Sequence, residues 1–389
     1  MEKKDYLKCE SKIKYLVFLL LYIFLYIPSF LLYHRKSIWL ICERGIDAQD
    51  NGFVFYKYLK KNHKEIKIYY LISAKSRDKK KIEEKDIVHF CSIKHFMMVI
   101  GCKVQISSHL FGYCPWSSFM LYLRRHKTKN IHVFLQHGIT YNNQFGYYKN
   151  VCKALSLYIC GSSREQKYIC DTFGYKLGEA PLTGFARYDN LYDKLEKKYL
   201  LIMPTWRRYL SVVSKEEFAE STYFKNWYSV LNNNSIHKLC AEKGLELVFY
   251  LHLSLQPFSE LFCNLKNVRV VKYGEETVQE MLKQSSVLIT DYSSVMFDCL
   301  YMEKDVLLFQ FDKDAFIENH YAEGFFNNLD RNVLPVETSE SNLIGRLENL
   351  FSNNDNVKQK YNKKYSNEFF GIKDQNNCTR IFETIQSKL

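Results

Sequence analysis

Over most of its length the chain alternates short, mainly apolar runs with longer amphipathic stretches. The runs stand at 38–42, 68–72, 104–107, 132–136 and 157–160, and a second series follows at 200–203, 247–250, 268–271, 287–290 and 306–309. A run in which polar positions do not alternate with apolar ones suits a strand covered on both faces, as in parallel sheets flanked by helices. Between the runs, 53–60 and 94–100 carry apolar residues at helical spacing. The pattern predicts an α/β chain of two Rossmann-like domains, 37–195 and 196–389, joined through the charged stretch 192–198. The sequence has no short-period repeat, and it has neither a Gly-x-Gly-x-x-Gly nor a Walker loop, which disfavours a dinucleotide fingerprint or a P-loop.

The N-terminal residues break this pattern. Residues 15–33 carry no charge, with Lys12 and Lys14 before them and His34, Arg35 and Lys36 after. Such a length can reach across a bilayer, while Pro28 and basic residues at both ends also suit a helix lying in the interface. A membrane anchor is therefore expected at 1–36. A chain of 389 residues has room for two sizeable cores, and its 12 cysteines form no Cys-x-x-Cys pair. That points to a reducing cytosol and away from a disulfide framework or zinc ribbon. The formal net charge of +13 permits attraction to anionic lipid, nucleic acid or a phosphorylated polymer. No basic stripe interleaved with stacking aromatics stands out, so nucleic acid is not an expected partner.

Candidate chemistry gathers just after the predicted strands, where ligands of open parallel sheets bind. In the stretch 286–302, Val287, Leu288 and Ile289 read as a buried strand that leads through Thr290-Asp291-Tyr292-Ser293-Ser294 into a helix. Ser293 or Ser294 can cap that helix, and hydroxyls at a helix N-terminus suit a phosphate; the plainer alternative is one more capped helix. His137-Gly138 follows the run 132–136. The imidazole can take a proton from a hydroxyl, or it is a loop histidine bonded to a nearby carbonyl. Thr205-Trp206-Arg207 follows 200–203, and the Arg207 fork can grip a diphosphate. His252 follows 247–250 and can donate to a leaving phosphate. The segment Thr183-Gly184-Phe185-Ala186-Arg187-Tyr188-Asp189 reads most simply as a turn with an internal Arg187–Asp189 pair.

Taken in order, His137-Gly138, Thr183-Gly184-x-x-Arg187-x-Asp189, Pro204-Thr205-Trp206-Arg207 and Thr290-Asp291-Tyr292-Ser293-Ser294-Val295-Met296-Phe297-Asp298 resemble the CDP-glycerol glycerophosphotransferases. That family includes teichoic acid primases and polymerases and related capsule polymerases. The resemblance runs from about 38, with Asp50-Asn51 in the first loop, to 324. It implies a GT-B architecture in which two Rossmann-like domains face a cleft. It also implies transfer of glycerol phosphate, or of ribitol phosphate in some members, from a CDP-linked donor to a lipid-linked glycan or polyol-phosphate acceptor at the cytoplasmic face of the cell membrane. By matching position, His137 would be the general base and His252 a donor to the phosphates. Gly138, Thr205, Arg207, Thr290, Asp291, Ser293 and Ser294 would bind substrate, with no metal and no other cofactor.

The chain departs from the family pattern at two places. Ile139, Thr140, Tyr141, Asn142 and Asn143 stand where polymerases often continue His-Gly with Thr-Pro-Leu-Lys, and Tyr250-Leu251-His252-Leu253 replaces Arg-x-His-Pro. Both changes bear on the donor, the acceptor and the part played by His252. Two further readings compete: a GT-B glycosyltransferase using a UDP- or GDP-sugar, for which Glu318 or Glu323 would be essential, and a non-catalytic membrane scaffold.

Overall fold

The computed structural model describes the chain except for residues 1–11, 35, 127, 193–197, 320–323, 326–328 and 353–355. Most of the expected linker and the candidate carboxylate Glu323 therefore lie outside the described residues. The first sheet holds β1 Trp39–Cys42, β2 Ile68–Ile72, β3 Ile87–His89, β4 Val104–Ser107, β5 Ile131–Phe134 and β6 Leu157–Tyr158, in the order β3-β2-β1-β4-β5-β6. The second holds β7 Tyr199–Ile202, β8 Glu246–Phe249, β9 Val268–Val270, β10 Ser285–Thr290, β11 Asp305–Phe309 and β12 Val336–Glu337, in the order β12-β11-β10-β7-β8-β9. The paired strands run parallel. These are two Rossmann-like α/β sheets, the class read from the apolar runs. Each order reverses once, between β1 and β4 and between β7 and β10, and a crevice for ligands opens at the carboxyl ends of such strands.

β1, β4, β5 and β7 are buried at every position, which explains the wholly apolar runs of β1 and β7, while β4 and β5 also bury the polar Gln105, Ser107 and His132. β3 and β12 escaped the sequence pattern because both are short edge strands, and β12 is only half-buried. Helices also follow local rules. Asp50 accepts from the backbone N–H of Asn51 and opens the helix Asn51–Asn62 ahead of the apolar stretch 53–60. The Ser92 hydroxyl accepts from His95 N and opens the helix Ile93–Gly101.

By packing, the first unit comprises Met1–Ile139, Gln144–Asn190 and Phe370–Leu389, and the second comprises Thr140–Asn143 and Leu191–Phe369. This differs from a single break near 195. The C-terminal helix Asn377–Gln386 belongs to the first unit because the Asp189 carboxylate receives Asn377 N at 2.8 Å and Cys378 N at 2.9 Å, and because Phe382 stacks on His63 at 3.6 Å. Asp189 thus holds a helix terminus, and the internal Arg187–Asp189 pair is replaced by an Arg187–Asp50 pair. The segment Thr140–Asn143 joins the second unit, where the Tyr141 hydroxyl donates to the Tyr292 carbonyl.

The N-terminal helix Lys12–Ser29 contains Pro28 and continues into a wider turn, Phe30–His34. One side of it is docked on the first unit. Phe18 is buried against Phe119 and Tyr122 of the helix Ser117–Arg125, with ring centroids 4.9 and 5.6 Å away. Near the other end, buried Ser29 lies so close to Gly101 that no Cβ would fit between them. The opposite side is bare and apolar, with Ile23, Phe24 and Ile27 exposed by 65%, 75% and 67%.

Candidate active site

In the first unit, functional side chains rise from the carboxyl ends of β1, β4 and β5. The β5 ladder ends before the expected position 136 because Gln136 takes a left-handed backbone, φ 60°, a strained conformation for a residue with a Cβ. Its own side chain fixes it in place, donating to Glu165 Oε1 at 3.1 Å. The strained turn swings His137 out of the sheet into an exposed position. His137 Nδ1 donates to the Ser108 carbonyl at 3.4 Å, which leaves Nε2 with the lone pair and without a partner among the described residues. His109 lies parallel to it, ring centroids 4.6 Å apart and planes 7° apart.

Desolvation lowers the His137 pKa to about 4, with the Ser108 carbonyl opposing and the Arg187 and Arg44 charges adding to the shift. The side chain keeps solvent contact, so its loss of hydration is incomplete. The ring is neutral at pH 7 and able to accept a proton.

The neighbouring residues form one network. The Asn51 carboxamide donates to the Gln136 carbonyl at 2.7 Å and accepts from Arg187 N at 3.0 Å, so it holds the backbone just before His137. Arg187 Nη1 donates to Asp50 at 3.1 Å. Glu43, buried at the end of β1, receives the N–H groups of Gln49, Asp50 and Phe53 at 3.0, 2.8 and 2.8 Å. Burial, with Asp50 and Asp47 beside it, still raises its pKa to about 8 against those donors.

In the second unit, the loops after β7 and β10 meet across the switch point. Asp291 is buried, and its Oδ1 accepts from Thr205 N at 2.8 Å and Tyr292 N at 2.6 Å. Its Oδ2 accepts from Arg207 Nη2 at 2.8 Å. Arg207 is fully buried, forks onto Asp312 at 2.7 and 3.0 Å, and donates from Nη1 to the Thr205 carbonyl at 2.8 Å. Tyr223, Tyr292 and Phe316 lie within 5.2 Å of the guanidinium carbon. Burial alone would lower the Arg207 pKa, but Asp291 and Asp312 outweigh it and raise the value. The fork expected to grip a diphosphate is thus closed on protein carboxylates, and the residue clamps two loops together. Thr290 also turns inward, its hydroxyl donating to the Met203 carbonyl at 2.6 Å.

Three hydroxyls in these loops have little or no protein partner among the described residues. Thr205 Oγ1 is buried without one. Ser294 precedes the helix Val295–Tyr301 with a helical backbone of its own, φ −64° and ψ −13°, so its side chain makes no capping bond. Ser293 Oγ receives only Val295 N at 3.5 Å. The capping read from the sequence is therefore made only weakly, by Ser293 and not by Ser294, and a cluster of poorly satisfied hydroxyls calls for a ligand or water. His252 follows β8 in the same sheet. Its Nδ1 accepts from Ser254 N at 3.2 Å, which puts the ring hydrogen of the neutral form on Nε2, and the ring stacks on Trp206 at 5.7 Å. Gly138 is buried beside His137, while Glu318 is exposed on the helix Lys313–Asn319.

The sequence reading missed His109, Glu43 and Asp312. His109 had a usable signal, because it follows the run 104–107 just as His137 follows 132–136.

The sequence pattern of the CDP-Glycerol:Poly(glycerophosphate) glycerophosphotransferase family matches residues 23–387. The chain belongs to this family. Over 370 residues it is 27% identical to the minor teichoic acid biosynthesis protein GgaB of Bacillus subtilis (strain 168), covering 92% of the chain and 40% of GgaB. A teichoic acid poly(glycerol phosphate) polymerase of the same organism is 24% identical over 330 residues, covering 76% of the chain and 41% of that polymerase. The glycerophosphotransferase-family chain thus spans about two fifths of the length of these curated relatives. Among solved structures it is similar to the wall teichoic acid polymerase TagF, with a TM-score of 0.68 and 16% identity over 97% of this chain and 98% of TagF. A UDP-GlcNAc 2-epimerase from Neisseria meningitidis matches with a TM-score of 0.52 and 12% identity over 90% and 99% of the two chains. At these identities the structural matches establish a shared GT-B-like fold and nothing finer.

Proposed function

We propose that the protein transfers glycerol phosphate, or a related polyol phosphate, from a CDP-linked donor to a hydroxyl of a membrane-linked glycan or of a teichoic or capsule polymer, releasing CMP. The observation that carries this reading is His137: a neutral imidazole at a strand's carboxyl end, Nδ1 committed to Ser108 and Nε2 open, in a glycerophosphotransferase-family chain. The acceptor oxygen bonds to the polyol-bearing phosphorus while the bond from that phosphorus to the bridging oxygen of CMP breaks. The hydroxyl proton passes to His137 Nε2. His252, with its hydrogen on Nε2, donates to the departing phosphate.

The transferred group is charged throughout, so alignment and charge stabilisation carry most of the rate. Thr205, Ser293 and Ser294 hold diphosphate oxygens. Arg207, Thr290 and Asp291 act one step back, holding the loops that present those hydroxyls. Gly138 leaves room beside the base.

The N-terminal helix lies in the cytoplasmic membrane interface and does not cross it. It is docked on the first unit at both Phe18 and Ser29, and a crossing helix would draw the helix Ser117–Arg125, with Arg124 and Arg125 in its last turn, towards hydrocarbon. Its bare side, with Ile23, Phe24 and Ile27, meets lipid. Vesicle flotation of a triple Ser variant at these three positions should show loss of binding with unchanged melting. A variant that floats like the parent contradicts the interfacial reading.

A donor screen with CDP-glycerol, CDP-ribitol and UDP-sugars tests the reaction. CMP release that depends on an acceptor is the expected result. UDP release from a sugar donor, abolished by Glu318→Gln, would assign a glycosyltransferase, and no turnover with any donor would leave a scaffold.

A further inference from the structure

His109 has no part in the reaction as described so far, yet its ring is placed as deliberately as that of His137. The two imidazoles are parallel within 7° with centroids 4.6 Å apart. His109 Nδ1 is buried without a hydrogen-bond partner among the described residues, whereas its backbone N–H is already spent on Ser107 Oγ at 3.1 Å. A buried N–H with no acceptor is the costlier of the two tautomers, so the ring hydrogen belongs on Nε2. The His137 ring is polarised the other way, with Nδ1–H on the Ser108 carbonyl and the lone pair on Nε2. The pair therefore offers one acceptor and one donor side by side. Both rings stay neutral: desolvation lowers the His109 pKa well below its ordinary value, and the nearby His137 and Arg44 reinforce the shift. Among the described residues, the charged or titratable groups that shift this pKa are these two.

We infer that His109 is an acceptor-binding residue whose Nε2–H donates to a second oxygen of the acceptor's terminal polyol, next to the hydroxyl that His137 deprotonates. This rests on the function proposed above. It adds a chemical class to the acceptor: a vicinal diol, whose neighbouring oxygens can lie one over each stacked ring. An end group with a single isolated hydroxyl would reach His137 but leave His109 unmatched.

Acceptors ending in a vicinal diol and acceptors ending in a lone primary hydroxyl, compared on the intact protein with CDP-glycerol, test it. The parent should favour the diol by about tenfold in kcat/KM, roughly the worth of one hydrogen bond to a neutral donor. His109→Phe keeps a flat ring against His137 and removes the N–H. It should raise KM for the diol about tenfold, leave KM for the lone hydroxyl and for CDP-glycerol unchanged, and abolish the preference. His109→Gln, which restores a side-chain N–H, should recover part of it. Equal use of both acceptors by the parent overturns the inference without any variant, and so does a Phe variant that keeps the full preference. Absence of CMP release by the parent with every acceptor would instead remove the underlying transfer reaction, and the acceptor role of His109 with it.

Discussion

At the ends of β4 and β5 the first unit presents an imidazole on a strained turn, open to solvent and held by one long hydrogen bond. At the ends of β7 and β10 the second unit does the reverse, burying Arg207, Asp291 and Asp312 in a closed ionic cluster and leaving small hydroxyls outside. The contrast fits the two roles proposed for these sides. A base has to keep a lone pair available, so it needs few partners and a pKa below neutrality. A cradle for a diphosphate has to hold its geometry without reorganising, and buried charges that satisfy one another make stiff supports. Chemically conspicuous residues can therefore be structural, and under the proposed function the groups that meet substrate are plain serines and a threonine.

Substitutions on the two sides should separate activity from stability. His137→Ala should cut CMP release by about a hundred- to ten-thousand-fold, with CDP-glycerol binding and urea midpoint close to the parent's. Near-normal turnover would remove the base and dissolve the comparison. Arg207→Ala should have the opposite signature, destabilising the fold by about 3–5 kcal/mol in urea unfolding because two buried carboxylates lose their partner. Arg207→Lys should rescue little of this, since an ammonium cannot fork. Parent-like unfolding with selective loss of donor binding would mean that the guanidinium meets the diphosphate after all.

A smaller effect should appear in the pH profile. The folded state lowers the His137 pKa from its ordinary value of 6.5, so the neutral base survives to more acidic pH and the acid limb of kcat/KM should fall below 6.5. The same sign holds for stability. As pH drops below the ordinary value the unfolded chain protonates first, and the contribution of this residue is lost on the way down towards the folded pKa. An acid limb above 6.5 would contradict the environment described for the ring. Smallest of all, Ser294→Ala should raise KM for CDP-glycerol about five- to tenfold, with saturated turnover and stability nearly unchanged. An unaltered donor requirement would take Ser294 out of the cradle.

The apolar runs made most of both sheets legible, because a strand buried on two faces has no room for polar alternation. Edge strands β3 and β12 were not, since they are short and only partly covered. His137, His252 and the Ser293-Ser294 turn stand after strands, as the strand-end rule read them from the sequence. That rule did not foresee the pairing of Arg207, because burial depends on a partner far along the chain: Asp312 lies 105 residues away, and local spacing does not reveal that neutralisation. The Arg187–Asp189 pair failed for the same reason, with Asp50 and the C-terminal helix competing for the two side chains. His109 was within reach of the rule and went unnoticed because no motif accompanies it.

The central claim, that an open imidazole in this glycerophosphotransferase-family chain drives polyol-phosphate transfer, is met most directly by one experiment. Purified parent and His137→Ala proteins, each saturated with CDP-glycerol, would be mixed with a polyol-ended acceptor and followed for CMP and acceptor elongation in step. The account predicts matched CMP and product from the parent, and at least a hundredfold less of both from a variant that still binds the donor. Equal CMP release by the two proteins would contradict it.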